Sequence, residues 1–257
     1  MSDQYLLKTL ANAIEVLSLF EEEVSLAPKE IAERIDMNRT NLFRILYTLR
    51  HGGLLELDPK TGKYQIGMKT IHLASLSLQR LDIKHICHPY LVSLRDLVEE
   101  TVHLVVINNN LATFIDKIGA NEDVHMGSYV GWTAPLYCTA SGKLLLSFEP
   151  DKVIKEYFET VKLKRYTDNT IYNFNTFLKN IREIREVGYS IDKEEMVEGL
   201  TCFAIPIKEH KGHAIASISV SGPTTRMNKK RETIIEQLQQ TSQEISSMIT
   251  KIPENSI

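Results

Sequence analysis

Polar side chains recur at helical spacing on one segment of this 257-residue chain. One helical face would present Thr40, Arg44, Tyr47 and His51, with Asn41 and Thr48 beside it. In the major groove of DNA, Arg bonds guanine through two hydrogen bonds, Asn bonds adenine, and Thr contacts the thymine methyl. A helix that carries these residue types therefore has the chemistry to read base edges.

Three further basic residues are placed to contact the phosphate backbone. Arg39 stands at the predicted start of the same helix, where the helix N-terminus also attracts anions. Lys60 and Lys63 lie in and beside a Pro- and Gly-containing turn. Contacts of this kind position a protein on DNA without reading its sequence.

A polar helix face is also what any solvated amphipathic helix presents, so the surrounding elements must decide between the two interpretations. Apolar residues at Leu7, Leu10, Ile14, Leu17 and Phe20 predict a first helix, and Pro28 opens a second. After the turn at 36–38, Asn38 caps a third helix with the apolar stripe Leu42, Ile45, Leu46 and Leu49, which ends at Gly52 and Gly53. Strand-like runs at 54–57 and 64–66 then predict a hairpin. This order of elements is that of a winged helix-turn-helix.

A second set of small polar residues lies in the other half of the chain. Ser141 and Gly142 begin a predicted helix, where free backbone N–H groups would suit a carboxylate. Ser219 and Ser221 alternate on a predicted strand, so both hydroxyls face the same side. Such donors suit a compact, oxygen-rich metabolite such as a 2-oxo acid. Each residue also has an ordinary structural interpretation, as a strand or turn position without a ligand.

The remaining elements predict an α+β fold class: an N-terminal winged helix-turn-helix, a linker helix and a C-terminal mixed domain with an antiparallel sheet. A helix over about 68–81 is followed, after Pro89, by another over 90–100. Strands are predicted at 102–107, 111–115, 190–192, 202–207 and 214–221, and helices near 142–147, 150–158, 174–187 and 229–250. The domain boundaries expected are 1–68, 69–84 for the linker helix, and 85–257.

Composition excludes several classes of protein. The chain is 43% hydrophobic and 25% charged, which is ordinary for a globular protein, and no apolar run is long enough to span a bilayer. We therefore expect a soluble, cytoplasmic protein. Cys87, Cys138 and Cys202 are widely spaced and predict neither a disulfide framework nor a zinc site.

The net charge of −3 at first disfavours a DNA-binding protein, but the charge is unevenly distributed. Residues 38–67 carry five basic and two acidic side chains, a net +3, whereas residues 1–37 carry three basic and eight acidic ones, a net −5. The acidity therefore precedes the proposed DNA-reading segment. This distribution predicts modest non-specific affinity and a need for paired half-sites.

Several separated motifs together resemble the isocitrate lyase regulator (IclR) family of bacterial transcription factors. In the first half they are Ala27–Ala32, Asn38–Leu46, Gly53–Leu55 and Lys63–Gly67. In the second half they are Pro135–Leu136, Ala140–Lys143, Gly188–Asp192, Glu198–Cys202 and Ala216–Pro223. The resemblance implies a homodimer or homotetramer that binds operator DNA through paired winged helices and senses a small carboxylate in the C-terminal domain.

The resemblance also implies where the effector binds. In the family, loop amides before a helix and Asp, Cys and Ser side chains hold a small carboxylate. The matching positions here are Ala140, Ser141, Asp192, Leu200, Cys202, Ser219 and Ser221, with Met126 as a wall. No cofactor, no metal and no membrane partner is implied.

Other interpretations of these motifs are weaker. Ala140–Lys143 is not a phosphate-binding loop, because that pattern needs Gly where Tyr137 stands and Ser or Thr where Leu144 stands. Thiol catalysis would need Cys202 paired with His103, His125 or His213, and a metal site would need Cys202 with Cys138, but nothing in the spacing orders either site. We expect no enzyme, and we expect Glu194, Glu195 and Glu198 on a solvated loop over the pocket.

The function predicted is thus a DNA-binding transcriptional regulator, most simply a repressor, whose operator binding responds to a small organic acid. The alternative is a metabolite-binding module that acts through a protein partner without DNA. A test of DNA binding separates the two.

Overall fold

The computed structural model describes residues 6–79, 82–120 and 127–250. The chain divides into two compact units, Met1–Arg80 and Leu81–Ile257. No helix in these described ranges is long and apolar enough to cross a membrane.

The first unit has the winged helix-turn-helix order. Its helices are α1 (Lys8–Ser18), α2 (Pro28–Arg34), α3 (Arg39–His51) and α4 (Met68–Gln79), with a short 3₁₀ helix at Leu19–Glu21. Strands β1 (Leu55–Leu57) and β2 (Tyr64–Ile66) pair antiparallel as the wing.

The predicted caps and core stripe of α3 are present. The Asn41 N–H donates to Asn38 Oδ1 at 2.9 Å, which satisfies one amide that the first helical turn leaves free. The helix ends at Gly52, and Gly53 has φ +74°, a conformation that glycine adopts without strain. The four apolar stripe residues are buried and pack with Val16, Leu26, Ile31 and Tyr64.

The second unit is built on a six-stranded antiparallel sheet of order β5-β4-β3-β8-β7-β6. The strands are β3 (Thr101–Asn108), β4 (Leu111–Ile118), β5 (Thr133–Pro135), β6 (Ser190–Lys193), β7 (Leu200–Lys208) and β8 (Ala214–Pro223). The helices are α5 (Asp82–Val98), α6 (Ala140–Leu146), α7 (Asp151–Thr160), α8 (Phe174–Val187), α9 (Thr224–Lys229) and α10 (Arg231–Ile249), with a 3₁₀ helix at Leu136–Cys138.

Helices cover both faces of this sheet. Residues of α5 and α10 pack on one face in a core that includes Leu94, Ile218 and Ile245. Residues of α6, α7 and α8 pack on the other face in a second core that includes Leu144, Ile154 and Phe177. The α+β fold class is therefore confirmed.

One helix prediction needs correction. Pro89 lies inside α5, which begins at Asp82 and ends at Val98, and does not start a separate helix over 90–100. Cys87 and Leu91 on either side of the proline are fully buried, so packing against the sheet outweighs the hydrogen bond that proline removes. The helix predicted near 229–250 is confirmed as α10, and α9 is a separate short helix that precedes it.

Candidate functional site

The residues predicted to read DNA lie together on the exposed side of α3. Arg39, Thr40, Asn41, Arg44, Tyr47 and Thr48 are all exposed, while the opposite stripe is buried. The Thr48 hydroxyl donates to the Arg44 carbonyl oxygen at 2.7 Å, so its oxygen can still accept a hydrogen bond and its methyl group is available for an apolar contact. The helix thus presents a mixed basic and polar surface suited to a major groove.

The two wing lysines differ in environment. Lys60 is exposed at the β1–β2 turn, which Asp58 stabilises by accepting the Lys60 N–H at 2.8 Å. Lys63 is half-buried and its Nζ lies 3.4 Å from Glu30 Oε2. Because this ion pair neutralises part of its charge, Lys60 is the stronger candidate for a phosphate contact.

A cavity of about 410 Å³ lies in the second unit, on the α6 side of the sheet. Seven predicted effector-binding residues line it: Ala140, Ser141, Asp192, Leu200, Cys202, Ser219 and Ser221. Met126 lies outside the described residues. Residues from four separate segments of sequence therefore meet around one space.

Small hydroxyl groups form the polar side of this cavity. Ser219 and Ser221 both line it from β8, as their alternation predicts. Ser141 lines it from α6, and its Oγ accepts a hydrogen bond from Ser217 Oγ at 3.2 Å. The sequence predicted a free Gly142 N–H, but this group donates a hydrogen bond to Thr139 Oγ1 at 3.2 Å. Side-chain hydroxyls thus carry more of the polar surface than the sequence indicates.

Asp192 is a buried carboxyl group in the cavity wall. Its pKa is raised to about 7, first by burial and then by the nearby Glu195 carboxylate, against the lowering effect of Lys143. Asp192 Oδ1 accepts the Glu195 N–H at 2.7 Å. Near neutral pH the carboxyl group therefore exists in both forms, and its protonated form can donate a hydrogen bond.

Glu195 itself corrects a prediction. It is only 4% exposed and pairs with the buried Lys143 ammonium, so it does not lie on a solvated loop. Glu198 is exposed and does line the cavity, and Glu194 is half-buried and accepts the Gly199 N–H at 2.9 Å. The segment after β6 is therefore held in place by specific contacts.

The apolar side of the cavity was missed by the sequence analysis. Phe114 and Trp132 line it with ring centroids 4.7 Å apart, and His103 contacts Phe114 edge to face at 5.1 Å. Burial, with a smaller effect of Lys117, lowers the His103 pKa to about 3, so this imidazole is neutral. His103 pairs with Ser219 across β3 and β8, a relation between distant strands that spacing along the chain does not reveal.

The environment of the cysteines does not favour thiol chemistry. Burial is the main cause that raises the pKa of Cys202 and of Cys138, and it raises that of Cys87 to about 12. A nucleophilic thiol needs the opposite shift. Cys87 and Cys138 are buried side chains, and Cys202 is a partly buried residue of the cavity wall.

Family models cover most of the chain. Residues 9–59 match the IclR helix-turn-helix domain, and residues 75–247 match the C-terminal domain of the bacterial transcriptional regulator IclR. The chain belongs to the IclR family of bacterial transcriptional regulators. IclR-family members combine a DNA-binding helix-turn-helix with a C-terminal ligand-binding domain, and the named homologues are regulators, not enzymes.

Individual IclR-family proteins are similar along most of their length. The transcriptional regulator KdgR of Escherichia coli K12 is 32% identical over 216 residues, which is 84% of this chain and 82% of KdgR. The transcriptional repressor AllR of the same strain is 28% identical, over 87% of this chain and 83% of AllR. The crystal structure of Thermotoga maritima IclR matches with a TM-score of 0.76 and 33% identity, covering 95% of this chain and 99% of that one.

Proposed function

We propose that this protein is a repressor whose operator binding is modulated by a small organic acid bound in the second unit. The observation that carries the proposal is the 410 Å³ cavity, which collects seven of the residues that the family resemblance implies. A cavity of this size suits a compact metabolite. We therefore assign Ala140, Ser141, Asp192, Leu200, Cys202, Ser219 and Ser221 to the effector.

The lining favours an acid with a single carboxylate. Ser141, Ser219 and Ser221 supply hydroxyl donors, and Asp192 adds a donor when it is protonated. No Lys or Arg is among the described residues that line the cavity, so a ligand with several negative charges would be poorly compensated. The Phe114 and Trp132 rings provide an apolar surface for the carbon skeleton of the ligand.

The operator is proposed to contact α3 and the wing. Arg44, Asn41, Thr40, Thr48 and Tyr47 face the base edges in this proposal, and Arg39, Lys60 and Lys63 contact phosphates. A repressor is the simplest form of regulation, and the relative AllR is named a repressor. Binding to chromosomal DNA places the protein in the cytoplasm.

Two copies of the chain are proposed to act together, because paired recognition helices are needed to contact two half-sites. The first unit carries apolar side chains that remain exposed on α1 and α4: Leu10, Ile14, Met68 and Ile71 are 57–66% exposed. Exposed apolar residues on a monomer are candidates for an interface. We propose that these two helices form the contact between DNA-binding units.

DNA binding is tested with the full chain and the DNA upstream of its own gene. We expect a gel shift that weakens as salt rises, because counterions are released from phosphates. Arg44→Ala should weaken the shift, whereas Lys29→Ala, an exposed lysine outside α3 and the wing, should not. No shift at any salt, together with ligand binding, would favour the alternative module that acts through a protein partner.

The effector site is tested by a thermal-shift screen of keto, hydroxy and aromatic acids. We expect at least one acid to raise the unfolding midpoint, because a ligand that binds only the folded state stabilises it. The rise should disappear in Asp192→Ala and in Ser221→Ala. An acid whose effect survives both changes would place the ligand elsewhere.

A further inference from the structure

Phe43 is an exposed aromatic residue in the middle of the basic and polar face of α3. Its side chain is 67% exposed, and Tyr47, one turn later, is 61% exposed. Tyr47 in turn stacks on His51, with ring centroids 6.3 Å apart and planes 5° from parallel. Since residues four apart lie above one another on a helix, the three rings form a ridge along α3.

The fold of the first unit does not account for Phe43. The apolar stripe of α3 is complete without it, since Leu42, Ile45, Leu46 and Leu49 are all buried. Phenylalanine also forms helices less readily than Ala, Leu or Arg, which would suit an exposed position better. The ring is therefore placed where it contributes to neither the core nor the helix.

The surroundings of Phe43 indicate what it contacts. Arg39, Thr40 and Arg44 flank it on the N-terminal half of α3, the half that contacts bases in helix-turn-helix proteins. Residues 38–67 carry a net +3, which favours a polyanion over an apolar protein surface. Leu10 of α1 lines a groove together with Arg44 and Thr48 of α3, whereas Phe43 is not among the residues that line this groove.

We propose that Phe43 contacts the 5-methyl group of a thymine in each half-site and so specifies a T·A base pair. The thymine methyl is the one apolar group on the base edges of the major groove, and Phe is among the side chains that contact it. This inference rests on the proposed function, because it requires that α3 binds operator DNA. It assigns to Phe43 an apolar reading role beside the threonine methyl groups of α3, which can contact a thymine methyl as well.

The first test is selection of bound DNA from a random library by the full chain. The wild-type protein should enrich a two-fold symmetric site with a thymine at one fixed position in each half. Phe43→Ala should keep the rest of the site but lose the preference at that position, and Phe43→Leu should keep part of it. Val24→Ala, which removes an 89% exposed apolar side chain outside α3, should select the wild-type site.

The second test removes only the methyl group, by placing deoxyuridine at the preferred position of the selected site. The wild-type protein should bind about fourfold more weakly for each methyl removed, and Phe43→Ala should be insensitive. If removing the methyl group and replacing Phe43 change the binding free energy independently, the proposal is overturned, because the effects of two groups in contact do not add.

Three other results separate the inference from the proposed function. Enrichment of the same site with the same preferences by Phe43→Ala would overturn the inference and leave the proposed function intact. A change of oligomeric state in Phe43→Ala, measured by sedimentation, would overturn it by assigning the ring to a protein interface. Failure of the wild-type protein to enrich any site would overturn the proposed function itself.

Discussion

The Lys143 ammonium and the Glu195 carboxylate form a buried ion pair between α6 and the segment that follows β6. The two side chains are 1% and 6% exposed, and Lys143 Nζ also donates to the Ile191 carbonyl oxygen at 2.7 Å. Each partner lies close in sequence to cavity-lining residues, Ser141 on one side and Met196 on the other. The pair therefore fixes the distance between two walls of the proposed effector site.

Lys143→Met should destabilise the protein strongly, because it leaves the Glu195 charge buried without its partner. We expect the free energy of unfolding to fall by about 3–5 kcal/mol, measured by urea denaturation. Glu156→Gln, which removes one partner of the exposed pair with Lys152, should change stability by less than about 1 kcal/mol. The double variant Lys143→Met with Glu195→Gln should lose less free energy of unfolding than the two single variants lose in sum. Additive losses would contradict a direct interaction.

Stability should depend on pH through Asp192. Its pKa is about 7 in the folded protein, raised by burial and by Glu195, but near 4 in the unfolded chain. Between those values the folded state holds one proton more than the unfolded state, so stability falls as pH rises, by up to about 1.4 kcal/mol per unit. Asp192→Asn should remove this slope in urea denaturation between pH 4 and 7. The exposed control Asp168→Asn should keep the wild-type slope, and an unchanged slope in Asp192→Asn would refute the assignment.

Gly142 is required by close packing at the start of α6. A Cβ at this position would lie 2.5 Å from the Leu136 Cα and carbonyl oxygen and from Thr139 Oγ1. Gly142→Ala should therefore lower the free energy of unfolding by about 1–3 kcal/mol, although alanine is the better helix former. Gly119→Ala, where nothing lies within 4 Å of the added Cβ, should be nearly neutral. A Gly142→Ala variant as stable as the wild type would show that Leu136 can move.

The proposed contact between the α1 and α4 helices of two copies is tested by placing charged side chains on these helices. Ile14→Arg with Ile71→Arg should lower the mass in sedimentation and weaken operator binding, because both side chains are 57% exposed and would be buried in the dimer. Val24→Arg should keep the wild-type mass. If the double variant keeps the wild-type mass in sedimentation, other residues form the interface between copies.

Local patterns predicted the first unit well because its elements depend on residues close in sequence. The cap of Asn38, the stripe from Leu42 to Leu49 and the wing between Leu55 and Ile66 each lie within a few residues of one another. The same reasoning failed at Pro89, where burial of the neighbouring side chains against a distant sheet decides the helix. Residues close in sequence therefore predict a helix or strand correctly except where packing against distant residues favours a different structure.

The candidate effector site was predicted from the resemblance in its main residues but not in its surroundings. His103 lies beside Ser219 through the pairing of β3 with β8, and the buried Glu195 carboxylate pairs with a lysine 52 residues away. Neither relation has a signal in spacing along the chain. Phe43 was not among the residues predicted to contact DNA, and its exposure one turn before Tyr47 comes from the structure.

We expect a ligand in the cavity to change operator affinity, which fluorescence anisotropy of labelled operator DNA measures. An acid that raises the unfolding midpoint of the wild-type protein is titrated against the wild type and Ser221→Ala. The ligand should shift wild-type operator affinity by about 5–150-fold, while Ser221→Ala binds the operator normally without responding to the acid. An acid that occupies the cavity and leaves wild-type operator affinity unchanged would refute regulation of DNA binding through this cavity.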